Sequence, residues 1–493
     1  MEHGSSSPCS EPLGHVEELD AVESLAVVAD FLADMQAIAP EFERAVTAGR
    51  ALACFARALW AKELRYHQSF RSAKMVQDFW SHSWRTPAWK KVGLLLFWYN
   101  GNVANLAGTV AALAMFVLCL LEVLPGYLKQ PWTGETRELP FGVWSIGTGL
   151  LVHGVFLIFY WCRRTVWLDW ICIHQGNEEK KMQGILSLGA NIRNSKNMLI
   201  LWDETWIDRL WCVFELSAFL KSHGREAKHH ITILPTFIFP FWLASFVMTA
   251  VIMLANLTVP FGNVLYVLLA FLGLLACSII WEQLIFSYYS HIRALNDRLA
   301  HFSLADTNCS CCSRSHVNAA GEAIPCDRKI IAQCMCSWFG SVEACEASVS
   351  STVAIVLREK LGARFPLPYW MLLNCGMPLA WGYMDIASPR ARGEEWEEFW
   401  MTFLNFATWF FALSPAITTF TVALICKVRT RQREPSMALR WLCRLATIFL
   451  NLSSHACYRL ILALNPPEMG RVFPELVFFG IAFIVAVAAW RLR

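Results

Sequence analysis

The stretch that decides the fold runs from Arg164 to Leu220 and reads RTVWLDWICIHQGNEEKKMQGILSLGANIRNSKNMLILWDETWIDRLWCVFELSAFL. It opens with a short apolar run rich in β-branched and aromatic residues, Val166 to Ile173, which predicts a strand. Asn177 to Arg193 then has the apolar spacing of a helix, and Met198 to Trp202 is a second strand-like run. Because strand and helix alternate here, the sequence predicts an open parallel α/β sheet.

The composition places this sheet in an integral membrane protein. Of the 493 residues, 56% are hydrophobic and only 16% are charged, which is far from the average of soluble proteins. The lipid bilayer is therefore the expected partner. The formal net charge of +3 is small and dispersed, so no nucleic-acid partner is expected. Residues 1–20 are polar and acidic and lack the apolar core of a signal peptide, so we expect no cleaved leader.

About eight stretches of the chain approach the roughly 20 apolar residues that a bilayer requires. The Lys and Arg residues next to them fall mainly on one side, which the positive-inside rule assigns to the cytoplasm. Both termini and the α/β domain are therefore predicted to face the cytosol, while the identity of the membrane stays open. The predicted spans are 103–121, 141–161, 237–257, 262–281, 366–386, 400–426, 441–464 and 472–490.

The residues before the first span supply the rest of the predicted domain. Val16 to Gln68 has helical spacing with a break at Ala39 and Pro40, which predicts two amphipathic helices on the cytoplasmic side. These helices form either a packing arm for the next domain or a regulatory, partner-binding hairpin. Met75 to Arg85 predicts a first strand and its turn.

Several blocks of the chain resemble, in the same order, those of the TIR (Toll and interleukin receptor) domain. SHSWR at Ser81–Arg85 follows the first strand, and LDWICIHQ at Leu168–Gln175 supplies the next block. LDWICIHQ is also similar to the WIDAxCINQ pattern of fungal heterokaryon-incompatibility domains, which are themselves TIR-like. The later blocks are NMLILW at Asn197–Trp202, RLWCVFEL at Arg209–Leu216 and ITILP at Ile231–Pro235.

The resemblance covers roughly residues 75–100 and 163–236, under a third of the chain. It implies a TIR-like, flavodoxin-type sheet that is split by a membrane hairpin, where a TIR domain has only a short connection. The insertion is permitted because a hairpin returns the chain to the side that it left. Its cost in closure entropy grows only with the logarithm of the loop length.

The resemblance also implies a chemistry, since TIR domains that act as enzymes cleave the nicotinamide bond of NAD. Their catalytic glutamate corresponds to Glu215, four residues after Trp211. Cleavage passes through an oxocarbenium-like state that a carboxylate stabilises. Alternatively, Glu215 is an ordinary helix residue that pairs with Arg193 or Arg209, in a TIR-type scaffold without turnover. The predicted substrate-binding residues are Trp211, Asp169, His82, Ser81 and Arg85.

A polar, cysteine-rich segment follows the fourth predicted span. Seven cysteines lie between Ser287 and Leu361, at 309, 311, 312, 326, 334, 336 and 345. In the cytosol these thiols stay reduced, so they are zinc ligands, buried free cysteines or acylation sites. No paired C-x-x-C knuckles are present. The predicted zinc ligands come from Cys309, Cys311, Cys312, His316, Cys326, Cys334 and Cys336.

The sequence therefore predicts a membrane-anchored TIR-like signalling protein, with NAD cleavage by Glu215 or self-association through the TIR-like domain as its activity. A channel or transporter is the remaining alternative, and its polar candidates are Asn374, Asp385 and His455. The predicted division is 1–74 amphipathic helical region, 75–100 first part of the TIR-like domain, 101–162 membrane hairpin, 163–236 second part, 237–286 second hairpin, 287–365 cysteine-rich loop and 366–493 C-terminal region of about four spans.

Overall fold

The computed structural model is mostly helical and contains a mixed six-stranded sheet. Its strands are β1 Arg44–Thr47, β2 Phe70–Arg71, β3 Val76–His82, β6 Thr165–Trp167, β7 Ser195–Trp202 and β8 Ile231–Pro235, and a small separate pair is formed by β4 Leu128–Lys129 and β5 Pro140–Phe141. The structure describes residues 25–60, 66–71, 75–129, 140–258, 264–317, 321, 323–361, 369–392, 396–431, 436–464 and 472–491.

Helices surround the sheet and continue into the apolar part of the chain. Around the sheet are α1 (residues 25–33), α2 Ala48–Trp60, α5 Asp169–Cys172, α6 Glu178–Leu186, α7 Leu188–Arg193, α8 Leu210–His223, α9 Ala227–His230, α12 Asp327–Phe339 and α13 Val342–Leu361. The others are α3 Ala88–Leu120, α4 Trp144–Phe159, α10 Ile238–Thr258, α11 Val264–Ala300, α14 Tyr369–Cys375, α15 Met377–Arg392, α16 Trp396–Ala407, α17 Ser414–Arg431, α18 Met437–Ala463 and α19 Val472–Trp490.

The strand order is β2-β1-β6-β3-β7-β8, with β3 between two parallel neighbours. Counted along the chain, the four parallel strands have the order 2-1-3-4, as in the first four strands of flavodoxin-type sheets. Every residue of β3 except Gln77 is buried, which is typical of a strand covered on both faces. The sheet is mixed, however, because β1 pairs antiparallel with both β2 and β6.

The predicted split of the sheet is present in the pairing. Asp78 of β3 lies opposite Val166 of β6, and Phe79 stacks on Trp167 with ring centroids 4.6 Å apart. Two neighbouring parallel strands are thus separated in sequence by the α3–α4 hairpin. Helix α3 alone is 33 residues long, or about 50 Å at 1.5 Å per residue.

One continuous helix, α3, belongs both to the sheet domain and to the α3–α4 hairpin. The first turns of α3 are buried, from Val92 to Phe97, whereas its later turns expose Leu106, Val110 and Val117. The predicted boundary between residues 100 and 101 therefore falls inside a helix. A bilayer requires roughly 20 of the helical residues, which leaves about 13 for the domain.

Three predicted elements of the domain are corrected. The strand predicted over Val166–Ile173 ends at Trp167, and Asp169 begins the short helix α5 instead of lying inside a strand. The helix predicted over Asn177–Arg193 is divided into α6 and α7, and the Asn177 side chain caps α6 by accepting a hydrogen bond from the Lys180 amide at 2.8 Å. Residues 1–74 were predicted to be helical only, but this region also contains the strands β1 and β2.

Four helices in the described part of the chain are long and apolar enough to cross a membrane, which fits a multi-pass membrane protein. About eight spans were predicted. Helix α4 and the segment Phe271–Ser287 of α11 are apolar but shorter. Helix α18 carries Arg444, which is buried and ion-paired with Glu282 of α11 at 2.5 Å. The four helices that are long and apolar enough to cross a membrane are α3, α10, Trp396–Val428 and α19. Trp396–Val428 runs from α16 into α17 through a π-helical turn, Thr408–Leu413.

A buried carboxylate connects the two parts of the split sheet. Asp78 of β3 receives two hydrogen bonds from Arg164, which precedes β6, at 2.5 and 2.9 Å. It also accepts hydrogen bonds from Tyr99 of α3 at 2.8 Å and from Asn197 of β7 at 3.2 Å. The Tyr99 hydroxyl in turn accepts from the indole of Trp80 at 2.8 Å. Strands β3 and β7, helix α3 and the segment that enters β6 thus meet at one side chain.

We expect Arg164→Met to lower the free energy of unfolding by about 2 kcal/mol, because it removes a charged partner from the buried Asp78 carboxylate. The value is modest because the Arg164 side chain is itself 44% exposed. Urea unfolding of the full chain in detergent measures it. Lys181→Met is the matched control, since its partner Glu178 is 87% exposed and the expected change is below about 0.5 kcal/mol. Equal changes in the two variants would contradict this role of Asp78.

Candidate active site

Three parallel strands end at the same edge of the sheet, and the candidate site lies there. Strand β3 ends at His82, β6 at Trp167 and β7 at Trp202. In open α/β sheets, ligands bind in the crevice outside the carboxyl ends of the strands. Helix α8, which follows β7, carries Glu215 to the end of β3.

The carboxylate of Glu215 is the centre of this site. Its Oε2 accepts a hydrogen bond of 2.5 Å from the Ser81 hydroxyl, and that hydroxyl accepts one of 3.0 Å from the indole of Trp206. Ser81 and Trp206 are buried, whereas Glu215 keeps part of its surface exposed. An indole, a hydroxyl and a carboxylate therefore form a chain of hydrogen bonds that ends at Glu215.

The surroundings of Glu215 favour its neutral form. The pKa of Glu215 is raised to about 8, mainly by burial and in addition by the negative charge of Asp169. The hydrogen bond from Ser81 and the positive charge of Arg209 act in the opposite direction. At neutral pH the carboxyl group therefore holds its proton most of the time. A cationic group bound next to it would favour the ionised form.

Asp169 is the second acid of the site. Its Oδ2 accepts a hydrogen bond from the indole of Trp84 at 3.0 Å, and its Oδ1 accepts one from the Trp170 amide at 2.7 Å. Burial raises the pKa of Asp169, while these two hydrogen bonds and the charge of Lys91 oppose the rise. Asp169 is therefore held between the start of α5 and the loop that follows β3.

His82 is a buried histidine at the last position of β3. Burial lowers its pKa well below the ordinary value, and the positive charges of Lys91 and Arg209 lower it further. Its ring meets Trp84 edge to face at 4.7 Å, and no residue that the structure describes offers a hydrogen bond to its Nε2. His82 is therefore neutral at physiological pH, and its Nε2 is buried without a hydrogen-bond partner among the described residues.

The loop after β3 is fastened to the segment after β7. The Ser83 hydroxyl accepts a hydrogen bond from Thr205 at 2.7 Å, and Thr86 donates one to Asp203. The buried Lys91 donates to the backbone carbonyl of Ser83 at 2.9 Å. These contacts fix the rim of the site.

The structure brings together most of the residues that were predicted from the sequence. Ser81, His82, Asp169 and Glu215 all lie at the same edge, and Arg85 is exposed on the adjoining loop. Trp211 is the exception, because its indole donates a hydrogen bond to Asp327 at 3.2 Å, in the cysteine-rich segment.

Two contributors to the site were missed from the sequence. Trp206 donates to Ser81, and Arg209 acts electrostatically on Glu215, His82 and Asp169. A buried indole needs a hydrogen-bond acceptor, which is the only signal that could have pointed to Trp206. From the sequence, Arg209 is predicted only as one of two possible pairing partners of Glu215.

The cysteine-rich segment forms a second cluster next to α8. The possible ligand atoms of Cys311, Cys312, His316 and Cys326 all lie within 4.8 Å of one another, and Cys309, Cys311 and Asp327 form an adjoining group. Two predicted ligands lie elsewhere. Cys334 donates through its sulfur to the Ala29 carbonyl at 3.2 Å, and Cys336 is exposed on α12. Neither belongs to a cluster in the described residues.

Comparison with known proteins provides no relative from which a function could be transferred. No family model, no curated protein and no solved structure matches this chain. The function is therefore inferred from the side chains around Glu215 and from their position in the sheet.

The raised pKa of Glu215 predicts a pH dependence of stability. The unfolded chain releases this proton near the ordinary value of 4.5, and the folded chain releases it near 8. Between these values the folded state binds more protons, so the free energy of unfolding falls as the pH rises. Glu215→Gln removes the titration, and we expect the thermal midpoint of this variant to fall less than that of the wild type between pH 5 and pH 8.

The matched control is Glu178→Gln, whose carboxylate is exposed on α6. It is expected to leave the pH dependence of the midpoint unchanged. An identical pH dependence in wild type and Glu215→Gln would show that Glu215 does not titrate in this range.

Proposed function

We propose that this chain is a membrane-anchored protein whose sheet domain is TIR-like and cleaves the nicotinamide–ribose bond of NAD, with Glu215 as the catalytic carboxylate. The observation that carries the proposal is the hydrogen bond from Ser81, at the end of the central parallel strand, to the partly exposed Glu215. It holds the Glu215 carboxyl group at the edge of the sheet where nucleotides bind in open α/β folds.

The position of the site supports a nucleotide as the ligand. In a sheet of order 2-1-3-4 the strand order reverses between the first and third parallel strands, here β3 and β7. Ser81 and His82 lie at the end of β3, and Asp203 directly follows β7. The exposed Arg85 offers a cation for the pyrophosphate.

The charges around Glu215 suit the cleavage of a cationic substrate. The positively charged nicotinamide ring favours ionisation of Glu215, and the carboxylate then stabilises the positive charge that develops at C1′ of the ribose. The C1′–N bond breaks, its electron pair passes to the nicotinamide nitrogen, and water adds its oxygen to C1′ with release of a proton. The released nicotinamide is neutral, so the Glu215 carboxylate no longer attracts it and the product can dissociate from the site.

Two of the polar residues that motivated a transport function have other roles. Asp385 accepts hydrogen bonds from the backbone amides of Ser145 and Ile146 at 2.8 and 3.0 Å, at the start of α4. The side chain of Asn374 accepts a hydrogen bond from Asn105 of α3 at 2.7 Å. Both contacts join helices, as expected of packing residues. The side chain of His455 lies outside the described residues.

Glu215→Gln is expected to lower the rate of NAD cleavage at least about 100-fold, because the amide keeps the size of the side chain and removes its negative charge. The assay measures nicotinamide release by the full-length protein in detergent. Glu178→Gln is the control and is expected to keep full activity. For the wild type, kcat/KM should rise with pH through an apparent pKa of about 8, since the free enzyme must ionise Glu215.

Two results would contradict this proposal. Turnover that survives in Glu215→Gln would remove Glu215 from the catalytic role. A folded wild-type protein that releases no nicotinamide but self-associates in detergent would favour the alternative, a TIR-type assembly protein without turnover.

We also propose that the sheet domain and both termini face the cytosol, with about eight crossings in total. Helices α3 and α4 leave and re-enter the sheet domain, which supports an even number of crossings between β3 and β6. Helix α10 begins directly after β8, and α11 is followed by the cysteine-rich segment that contacts α8. Arg163 and Arg164 at the return of the first hairpin agree with a cytoplasmic side.

A glycosylation tag tests this orientation. A flexible insert with an Asn-x-Ser acceptor after Tyr127, beyond the end of α3, should be modified in a secretory-pathway membrane, whereas the same insert after Gly224 should stay unmodified. The chain without an insert shows how much glycosylation occurs at acceptor triplets that the sequence already contains. Modification of the insert after Gly224 would reverse the proposed orientation.

A further inference from the structure

We propose that Cys311, Cys312, His316 and Cys326 bind one structural Zn²⁺ ion that fastens the cysteine-rich segment to helix α8. The four possible ligand atoms lie within 4.8 Å of one another. Three thiolates and one imidazole are a common ligand set of structural zinc sites. This inference is independent of NAD cleavage, since it concerns a different group of side chains.

The distances between the sulfur atoms fit a tetrahedral site. With Zn–S bonds of about 2.3 Å, two tetrahedral sulfur ligands lie about 3.8 Å apart. Cys312 and Cys326 are 3.7 Å apart, and Cys311 and Cys312 are 4.0 Å apart. A disulfide would require about 2.05 Å, so the separations belong to reduced thiols.

The backbone folds back so that His316 joins the three cysteines. After the 3-10 turn Cys312–Arg314, both Ser315 and His316 have left-handed φ values, 54° and 59°. The His316 amide then donates a hydrogen bond to the Cys311 carbonyl at 2.9 Å. Its ring nitrogen Nε2 is buried, and no described residue offers it a hydrogen bond. A buried ring nitrogen without a hydrogen-bond partner is expected when a histidine binds a metal that the structure does not contain.

The surroundings of the sulfur atoms suit thiolates. The Asp327 amide, at the start of α12, donates a hydrogen bond to the Cys311 sulfur at 3.3 Å. Such outer hydrogen bonds stabilise the charged ligand and orient it. Cys309 is only 3.0 Å from Cys311, closer than two ligands of one tetrahedral zinc, and is therefore left out of the set. On binding, each thiol releases its proton to solvent as its sulfur bonds to zinc.

The proposed site would act on the helix that carries Glu215. The neighbouring Asn308 donates from its amide to the Asp208 carbonyl at 2.6 Å and accepts from the Leu210 amide at 3.3 Å. Asp327, which directly follows Cys326, accepts the hydrogen bond of Trp211 at 3.2 Å. Zinc would thus hold together the loop and the helix start that contact the first turn of α8. We infer a structural role rather than a catalytic one.

The test is the zinc content of the full-length protein purified in detergent, measured by elemental mass spectrometry. We expect about one zinc per chain in the wild type, retention in Cys336→Ser, and loss in Cys312→Ser and Cys326→Ser. Cys336→Ser is the matched control because this cysteine is exposed on α12, outside the cluster. A chelator should lower the thermal midpoint of the wild type and leave that of Cys326→Ser unchanged.

A second measurement uses the wild type and therefore tests the site even if the variants fail to fold. Wild-type protein loaded with Co²⁺ should show the visible absorption of a tetrahedral thiolate site. Three results would each overturn the proposal. They are wild-type protein that holds no zinc although its four ligand side chains are unmodified, a Cys312–Cys326 disulfide, and zinc retained in a folded Cys326→Ser. A protein that binds zinc but leaves NAD intact would refute only the NAD proposal, and a zinc-free protein that cleaves NAD would refute only this one.

Discussion

The pairing of Asp78 with Arg164 joins two pieces of chain that the apolar α3–α4 hairpin separates. Neither piece has a complete sheet, because β3 needs β6 as its parallel neighbour. The buried carboxylate receives hydrogen bonds from Arg164, Tyr99 and Asn197, and each of these comes from a different element next to β3. Because a buried carboxylate is costly without such partners, these hydrogen bonds stabilise the pairing of β3 with β6 across the inserted hairpin.

Long apolar strands could be predicted from the sequence, whereas short ones could not. Strands β7 and β8 are buried runs, and the structure has them within a few residues of their predicted bounds. Strand β6 has only three residues, and the apolar residues that follow it do not distinguish a strand from a helix by their spacing. Strand β1 has only four residues and stands next to an alanine-rich helix, so the helical pattern extends over it in the sequence. These short strands depend on their partners in the sheet.

The two clusters of side chains differ in how far the sequence could define them. Ser81 and Glu215 were predicted from motifs, but the contact of Trp206 with Ser81 joins residues 125 positions apart and depends on the finished sheet. In the cysteine-rich segment, the residue types indicated a metal site but did not show which residues form it. Cys334 and Cys336 are two positions apart on a helix and so differ by about 200° in direction. That difference buries Cys334 against α1 and exposes Cys336.

The unbroken helix α3 has a mechanical consequence. Its first turns hold the loop of the candidate site through Lys91 and Ser83, and its later turns expose apolar side chains of a membrane span. A straight helix acts as a lever, so a change of about 10° in the tilt of the span would displace its other end by roughly 3 Å per 15 Å of length. Bilayer thickness changes tilt. If the later turns of α3 cross a bilayer, a change in its thickness would therefore be transmitted to the loop after β3.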